Sequence, residues 1–108
     1  MDMDEAEFDR VARDELHHLE DALSEVDPDI CEVSSSDGVL KLALRDGTRV
    51  VINSHRAARQ IWMAAVSTAW HFDPPTGPGG WHATRTDEDL RPTLAKLLHE
   101  RIGLAVSL

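Results

Sequence analysis

Two periodicities divide the chain. Phe8, Val11, Ala12, Leu16, Leu19, Leu23 and Val26 recur at helical spacing and form one apolar stripe. Asp4 and Glu7 make a D-x-x-E start, so the first helix is predicted from Asp4. Pro28 ends it by about Asp27, because the residue before a proline is pushed out of the α region. From Gly38 onward the period becomes two. Val39–Leu44 and residues 48–53 alternate around Asp46-Gly47, the strongest short hairpin signal in the chain. A two-residue loop would pair Leu44 with Arg49 and set an arginine among the leucines. A three-residue loop, Arg45-Asp46-Gly47 with Gly47 left-handed, pairs Leu44 with Thr48, Leu42 with Val50 and Leu40 with Ile52. One face is then wholly apolar, and this register is preferred. In the strand predicted over residues 59–65, Ile61 and Met63 point inward and Gln60 and Trp62 outward.

The remaining elements are short. Residues 30–34 read as a first strand, 34–38 as a turn, and 54–58 as a polar connection containing His55. Strands are expected over 70–73 and 81–85, separated by the exposed Pro- and Gly-rich loop 74–80. Leu90, Leu94, Leu97, Leu98 and Ile102 form the stripe of a second helix over 87–102. Pro92 sits in its first turn and Gly103 is a suitable stop. The apolar tail 104–108 is expected to tuck between the helices. Helix, strands, helix predicts an α+β two-layer sandwich over residues 1–108, a single domain. Its antiparallel sheet of about six strands carries both helices on one face and leaves the other open.

Composition narrows the functional classes. A single cysteine, Cys31, excludes an internal disulfide and suits a reducing cytoplasm. No apolar run is long enough to span a bilayer, and the acidic start has no secretory or transit-peptide character. Residues 1–37 hold fourteen Asp and Glu against two Arg, a balance of −12, while residues 38–108 balance at +3, giving the formal −9. An acidic half of this kind repels nucleic acid and anionic membrane, and attracts cations or a basic protein surface. Glu7, Asp14, His18, Asp21 and Glu25 fall on one flank of the first helix, and Glu20 on the other. Carboxylates without cysteine or paired-histidine spacing suit hard, oxygen-preferring ions. On residues alone, a solvated acidic face is favoured over a specific metal site.

The Ile30-Cys31-Glu32-Val33 strand, Gly38-Val39-Leu40, Ile52-Asn53 and Gln60-Ile61-Trp62, set in a helix–meander–helix order, resemble frataxin. Trp70-His71-Phe72-Asp73 resembles the bacterial, CyaY-type branch, and the likeness covers nearly the whole chain. The resemblance implies a small non-enzymatic protein of iron–sulfur cluster assembly. It would bind Fe²⁺ or Fe³⁺ weakly, with other divalent cations sharing the site. Its partners would be the cysteine desulfurase and the scaffold protein, and it would be a monomer, with iron-dependent oligomers as an alternative. The acidic ridge it implies corresponds here to Glu20, Asp21, Glu25, Asp27, Asp29 and Glu32, and Ser24 stands where that branch often has another carboxylate. The partner face corresponds to Asn53, Gln60 and Trp62, with Trp62 expected to be solvent-exposed as an interaction anchor. His55 stands where many relatives carry glutamine, and its role stays open.

Two rivals compete. An enzyme lacks support: the chain has no Ser-His-acid spacing, phosphate-cradling glycine loop or zinc motif. The adjacent His17 and His18 point to different helix faces. An acidic adaptor without a metal role is the second alternative.

Overall fold

A computed structural model describes residues 3–108; Met1 and Asp2, the first residues of the acidic start, lie outside them. Helix α1 spans Glu5–Ser24, and Asp4 caps it by accepting from the Glu7 backbone N–H at 2.8 Å. Phe8, Ala12, Leu16, Leu19 and Leu23 bury the expected stripe, with Val11 and Val26 half-buried. The helix stops three residues before Asp27. Asp27 Oδ1 accepts from the Asp29 N–H at 2.9 Å, and its carbonyl accepts from Ile30 and Cys31. That local turn competes with continued helix.

Five antiparallel strands follow in sequential order: β1 (Cys31–Ser36), β2 (Val39–Leu44), β3 (Arg49–His55), β4 (Gln60–Ala65) and β5 (Thr68–Phe72). The β2–β3 register pairs Leu42 with Val50 and Leu40 with Ile52, as the three-residue loop requires, and Gly47 is left-handed at φ 90°. The residues expected as a turn after β1 behave differently. Ser35 and Ser36 stay in the strand, and the chain reverses on Asp37-Gly38 alone, both at positive φ. This mirror-image turn follows the sheet's twist better than a longer loop. A Cβ on Gly38 would meet Ser54 Oγ at 2.8 Å, so glycine is required there for space as well as for φ.

The sheet has five strands where about six were expected. Residues 81–85 do not join it. Instead β6 (His82–Ala83) pairs with β7 (Glu88–Asp89) in a small separate hairpin, tethered to the end of β5 by an Asp73–His82 bridge. Trp81 turns inward, 3% exposed, and meets Phe8 edge-on at 6.0 Å. Because Glu88 and Asp89 are used in the hairpin, helix α2 starts at Leu90 and runs to Ile102, with Pro92 in its first turn and Gly103 left-handed at its end.

The inner sheet face (Leu40, Leu42, Leu44, Val50, Ile52, Ile61, Met63) closes against the stripes of both helices in one core. Leu104, Val106 and Leu108 lie half-buried against that core. The outer sheet face is left uncovered. Among the described residues, no helix is long and apolar enough to cross a membrane.

Candidate functional site

The six ridge carboxylates come from three local structures. Glu20 and Asp21 lie on the last turns of α1, Glu25 is its C-cap, Asp27 and Asp29 line the following turn, and Glu32 is on edge strand β1. All are exposed except Glu20, which is half-buried and accepts from Ser35 Oγ at 2.6 Å. Strand alternation puts Glu32, paired with Ala43, on the open face, while Ser35 pairs with buried Leu40 on the other. The ridge therefore wraps the β1 edge from the helix layer round to the sheet. Among the described residues, no group of three or more His, Cys, Asp or Glu is gathered to hold a metal ion. Such an open donor set suits a hydrated, loosely held cation of oxygen preference.

The charge balance of the folded protein is more segregated than that of the chain. Three acids of α1, Glu5, Asp9 and Glu15, are paired with arginines. Asp9 forms a two-pronged bond with Arg56, which holds its carboxyl below the usual range, and Glu5 lies within 4.0 Å of both Arg56 and Arg59. Glu15 is buried and accepts twice from Arg91, at 2.8 and 3.0 Å. The ridge acids have no such neighbours: among the described residues, none lies within 4.0 Å of a Lys, Arg or His nitrogen. Negative potential is concentrated at the C-terminal end of α1, where the helix dipole adds to it.

Asn53, Gln60 and Trp62 do share the open sheet face. Asn53 stands directly opposite Trp62, and His71 opposite Trp62 on the next strand. One expectation needs correction. Trp62 is half-buried, because the imidazoles of His55 and His71 stack on its two faces at 3.9 and 4.2 Å between ring centroids. Its Nε1 donates to Gln60 Oε1 at 2.8 Å. His55, expected in a connection, is the last residue of β3 and pairs with Gln60. His55 could have been placed from the sequence by carrying the alternation of residues 48–53 two residues further, whereas His71 already lay in the strand expected over 70–73 and lacked only its register against Trp62.

Two other constellations were not foreseen. The Glu15–Arg91 pair joins α1 to α2, and a buried acid on an apolar stripe leaves no periodic signal of its own. His82 sits between Asp89 Oδ1 (2.7 Å) and Asp87 Oδ1 (3.2 Å). The bond to Asp89 is the main cause that raises its pKa above the ordinary 6.5. Cys31 is buried, which pushes its thiol pKa upward and disfavours the thiolate.

The family model described as a frataxin-like domain matches residues 1–104. The chain belongs to the frataxin family. Among curated relatives, the iron–sulfur cluster assembly protein CyaY of Dechloromonas aromatica is 30% identical over 106 residues, covering 98% of this chain and 99% of that one. The CyaY protein of Neisseria meningitidis (strain FAM18) is 32% identical, covering 98% and 96%. Among solved structures, the frataxin of Psychromonas ingrahamii superposes with a TM-score of 0.87 at 21% identity over 97% of each chain, which shows the shared fold. Trimeric yeast frataxin, solved in complex with ferrous iron, gives 0.74 at 29% identity over 96% and 90%. The family's helix–sheet–helix frame is thus the frame on which the ridge and the tryptophan face are mounted here.

Proposed function

We propose that this protein, as a single domain, is a non-enzymatic iron-binding component of iron–sulfur cluster assembly. Iron is cargo: Fe²⁺ or Fe³⁺ sits loosely on Glu20, Asp21, Glu25, Asp27, Asp29 and Glu32, and other divalent cations compete for the same carboxylates. The ridge also steers the protein toward a basic patch on a cysteine desulfurase, while the sheet face of Asn53, Gln60 and Trp62 meets the desulfurase–scaffold assembly. Through these contacts it delivers iron, regulates the desulfurase, or does both. The observation that carries this reading is the segregation of charge. Glu5, Asp9 and Glu15 on α1 are matched by arginines, whereas, among the described residues, none of the six ridge acids has a cation within 4.0 Å. Support comes also from the relatives named for iron–sulfur cluster assembly and from the yeast frataxin solved with ferrous iron.

The test is anaerobic titration of ¹⁵N-labelled protein with Fe²⁺. Resonances of residues 20–32 should broaden first, and the effect should vanish in the triple variant Asp21→Asn, Glu25→Gln, Asp29→Asn. Iron binding that survives this variant unaltered refutes the ridge assignment. A titration without any site-specific broadening would favour a plain acidic adaptor.

A further inference from the structure

The Trp62 indole is restrained on all sides but one. Its faces are covered by His55 and His71, with rings inclined by only 13° and 16°. Its N–H donates to Gln60 Oε1 at 2.8 Å, and Gln60 Nε2 donates to Asp73 Oδ1 at 3.0 Å. The chemistry at the two ends fixes the amide's orientation. An indole nitrogen only donates and a carboxylate only accepts, so Gln60 must turn its oxygen to one and its NH₂ to the other. Asp73 is anchored in turn. Its backbone N–H donates to the His82 carbonyl at 2.8 Å and its carbonyl accepts from the His82 N–H at 3.0 Å. The His82 ring is held by Asp87 and Asp89.

We propose that Gln60 and Asp73 are positioning residues for Trp62, so that the protein offers its partner the carbon edge of a fixed three-ring stack and not the indole N–H. This rests on the sheet face being the partner surface. It changes what that partner must provide. A carbonyl aimed at Trp62 gains no donor, because the N–H is already satisfied within the protein. The matching surface is an apolar slot that admits ring edges. Its polar contacts go to Asn53, whose amide makes only a long 3.4 Å bond to the Ser54 carbonyl. Of the two outward amides, Asn53 reads the partner and Gln60 holds the anchor. An indole fixed before association has already lost the rotamer freedom that binding would otherwise remove.

The experiment follows the Trp62 indole ¹H–¹⁵N resonance, assigned by Trp62→Phe, in Asp73→Ala, Gln60→Leu and Asp73→Asn. Affinity for the purified cysteine desulfurase–scaffold complex is measured on the same samples. Asp73→Ala and Gln60→Leu should shift the indole resonance and relax the ring-current displacement of the His55 and His71 ring protons. Amides outside β4 and β5 should stay in place, and affinity should fall about threefold to tenfold. Asp73→Asn keeps an acceptor oxygen for Gln60 and should match the wild type in both readouts. An unmoved indole resonance in the Ala and Leu variants, or an Asn variant as perturbed as Ala, overturns the relay. A shifted resonance with unchanged affinity overturns its role in recognition. Full-strength binding by Trp62→Ala overturns the partner surface itself, an outcome distinct from either, since the indole readout does not depend on a partner.

Discussion

Neutralising the ridge should make this protein more stable, and the size of the gain can be worked from the end of α1. Asp21 and Glu25 are four residues apart on the helix, Glu25 is its C-cap, and the last turn contains no basic residue. Each carboxylate therefore faces the negative end of the helix dipole, at a cost of about 0.3–1 kcal/mol, and their mutual repulsion adds about 0.2–0.5 kcal/mol. Both are exposed, so solvent and salt screen these terms and the lower half of the range applies, about 1 kcal/mol in total. For a domain of roughly 100 residues that is a rise in Tm of about 4–8 °C. The perturbation is Asp21→Asn, Glu25→Gln, Asp29→Asn. Asp27 is left alone because its Oδ1 accepts from the Asp29 N–H and holds the turn. Calorimetry at low ionic strength is the assay, repeated with millimolar calcium. Calcium should raise the Tm of the wild type and leave the variant unmoved, and the difference between the two proteins should shrink in high salt. A lower Tm in the variant, or an undiminished calcium response, would refute the reasoning and show that the ridge serves the fold.

Trp62→Ala should abolish capture of the desulfurase–scaffold complex while iron still broadens the ridge resonances, whereas Leu42→Ala, at 1% exposure, should lose about 2–5 kcal/mol in chemical denaturation. Global unfolding by Trp62→Ala would make the tryptophan a core residue. Arg91→Ala leaves Glu15, 6% exposed, without its partner; because Arg91 itself is 42% exposed, the loss should be about 1–3 kcal/mol, and replacing both residues by leucine should recover most of it. His82 gains its partners on folding, so its folded pKa lies above 6.5. That contribution is complete below the unfolded value and fades as pH rises through the folded one. Wild-type stability, compared with His82→Gln by denaturant titration, should therefore decline above about pH 6.5, and parallel curves would count against the clasp.

The strands and their faces were legible because alternation around Asp46-Gly47 admits only one register with an apolar face, and the observed pairing of Leu42 with Val50 is that register. Helix starts were legible where a cap exists, as at Asp4. What stayed hidden depends on contacts distant in sequence. Residues 81–89 have no periodicity long enough to tell a sheet strand from a separate hairpin. Their fate is decided by Trp81 packing on Phe8 and by the Asp73–His82 bridge. The site residues divide in the same way. Strand alternation placed Asn53, Gln60 and Trp62 on the open face, but His55 and His71 became part of the site only when the register brought two more strands beside the tryptophan. The different tasks of Asn53 and Gln60 were invisible for the same reason, since the Asp73 carboxylate that engages Gln60 lies thirteen residues away.

The arrangement of charge explains why one small frame can carry two surfaces without either spoiling the other. A ridge of unpaired carboxylates destabilises whatever element bears it, and here it is confined to the end of α1, the turn after it and one edge strand. Glu5, Asp9 and Glu15 are paired with Arg56, Arg59 and Arg91, which tie that helix to the β3–β4 loop and to α2. The helix is thus fastened at Glu5, Asp9 and Glu15 and, among the described residues, left without cation partners at Glu20, Asp21 and Glu25. The tryptophan stack lies on β3, β4 and β5, away from edge strand β1, so a cation held on the ridge need not displace a ring and a partner on the sheet face need not displace the cation. Of the ridge residues, only Glu32 projects on the same face as Trp62, and the sheet order separates their strands by β2 and β3. Any coupling between cargo and partner at this face should therefore pass through Glu32 first: Glu32→Gln should keep iron broadening at Asp21 and Glu25 and keep partner capture, while any effect of iron on that capture is lost.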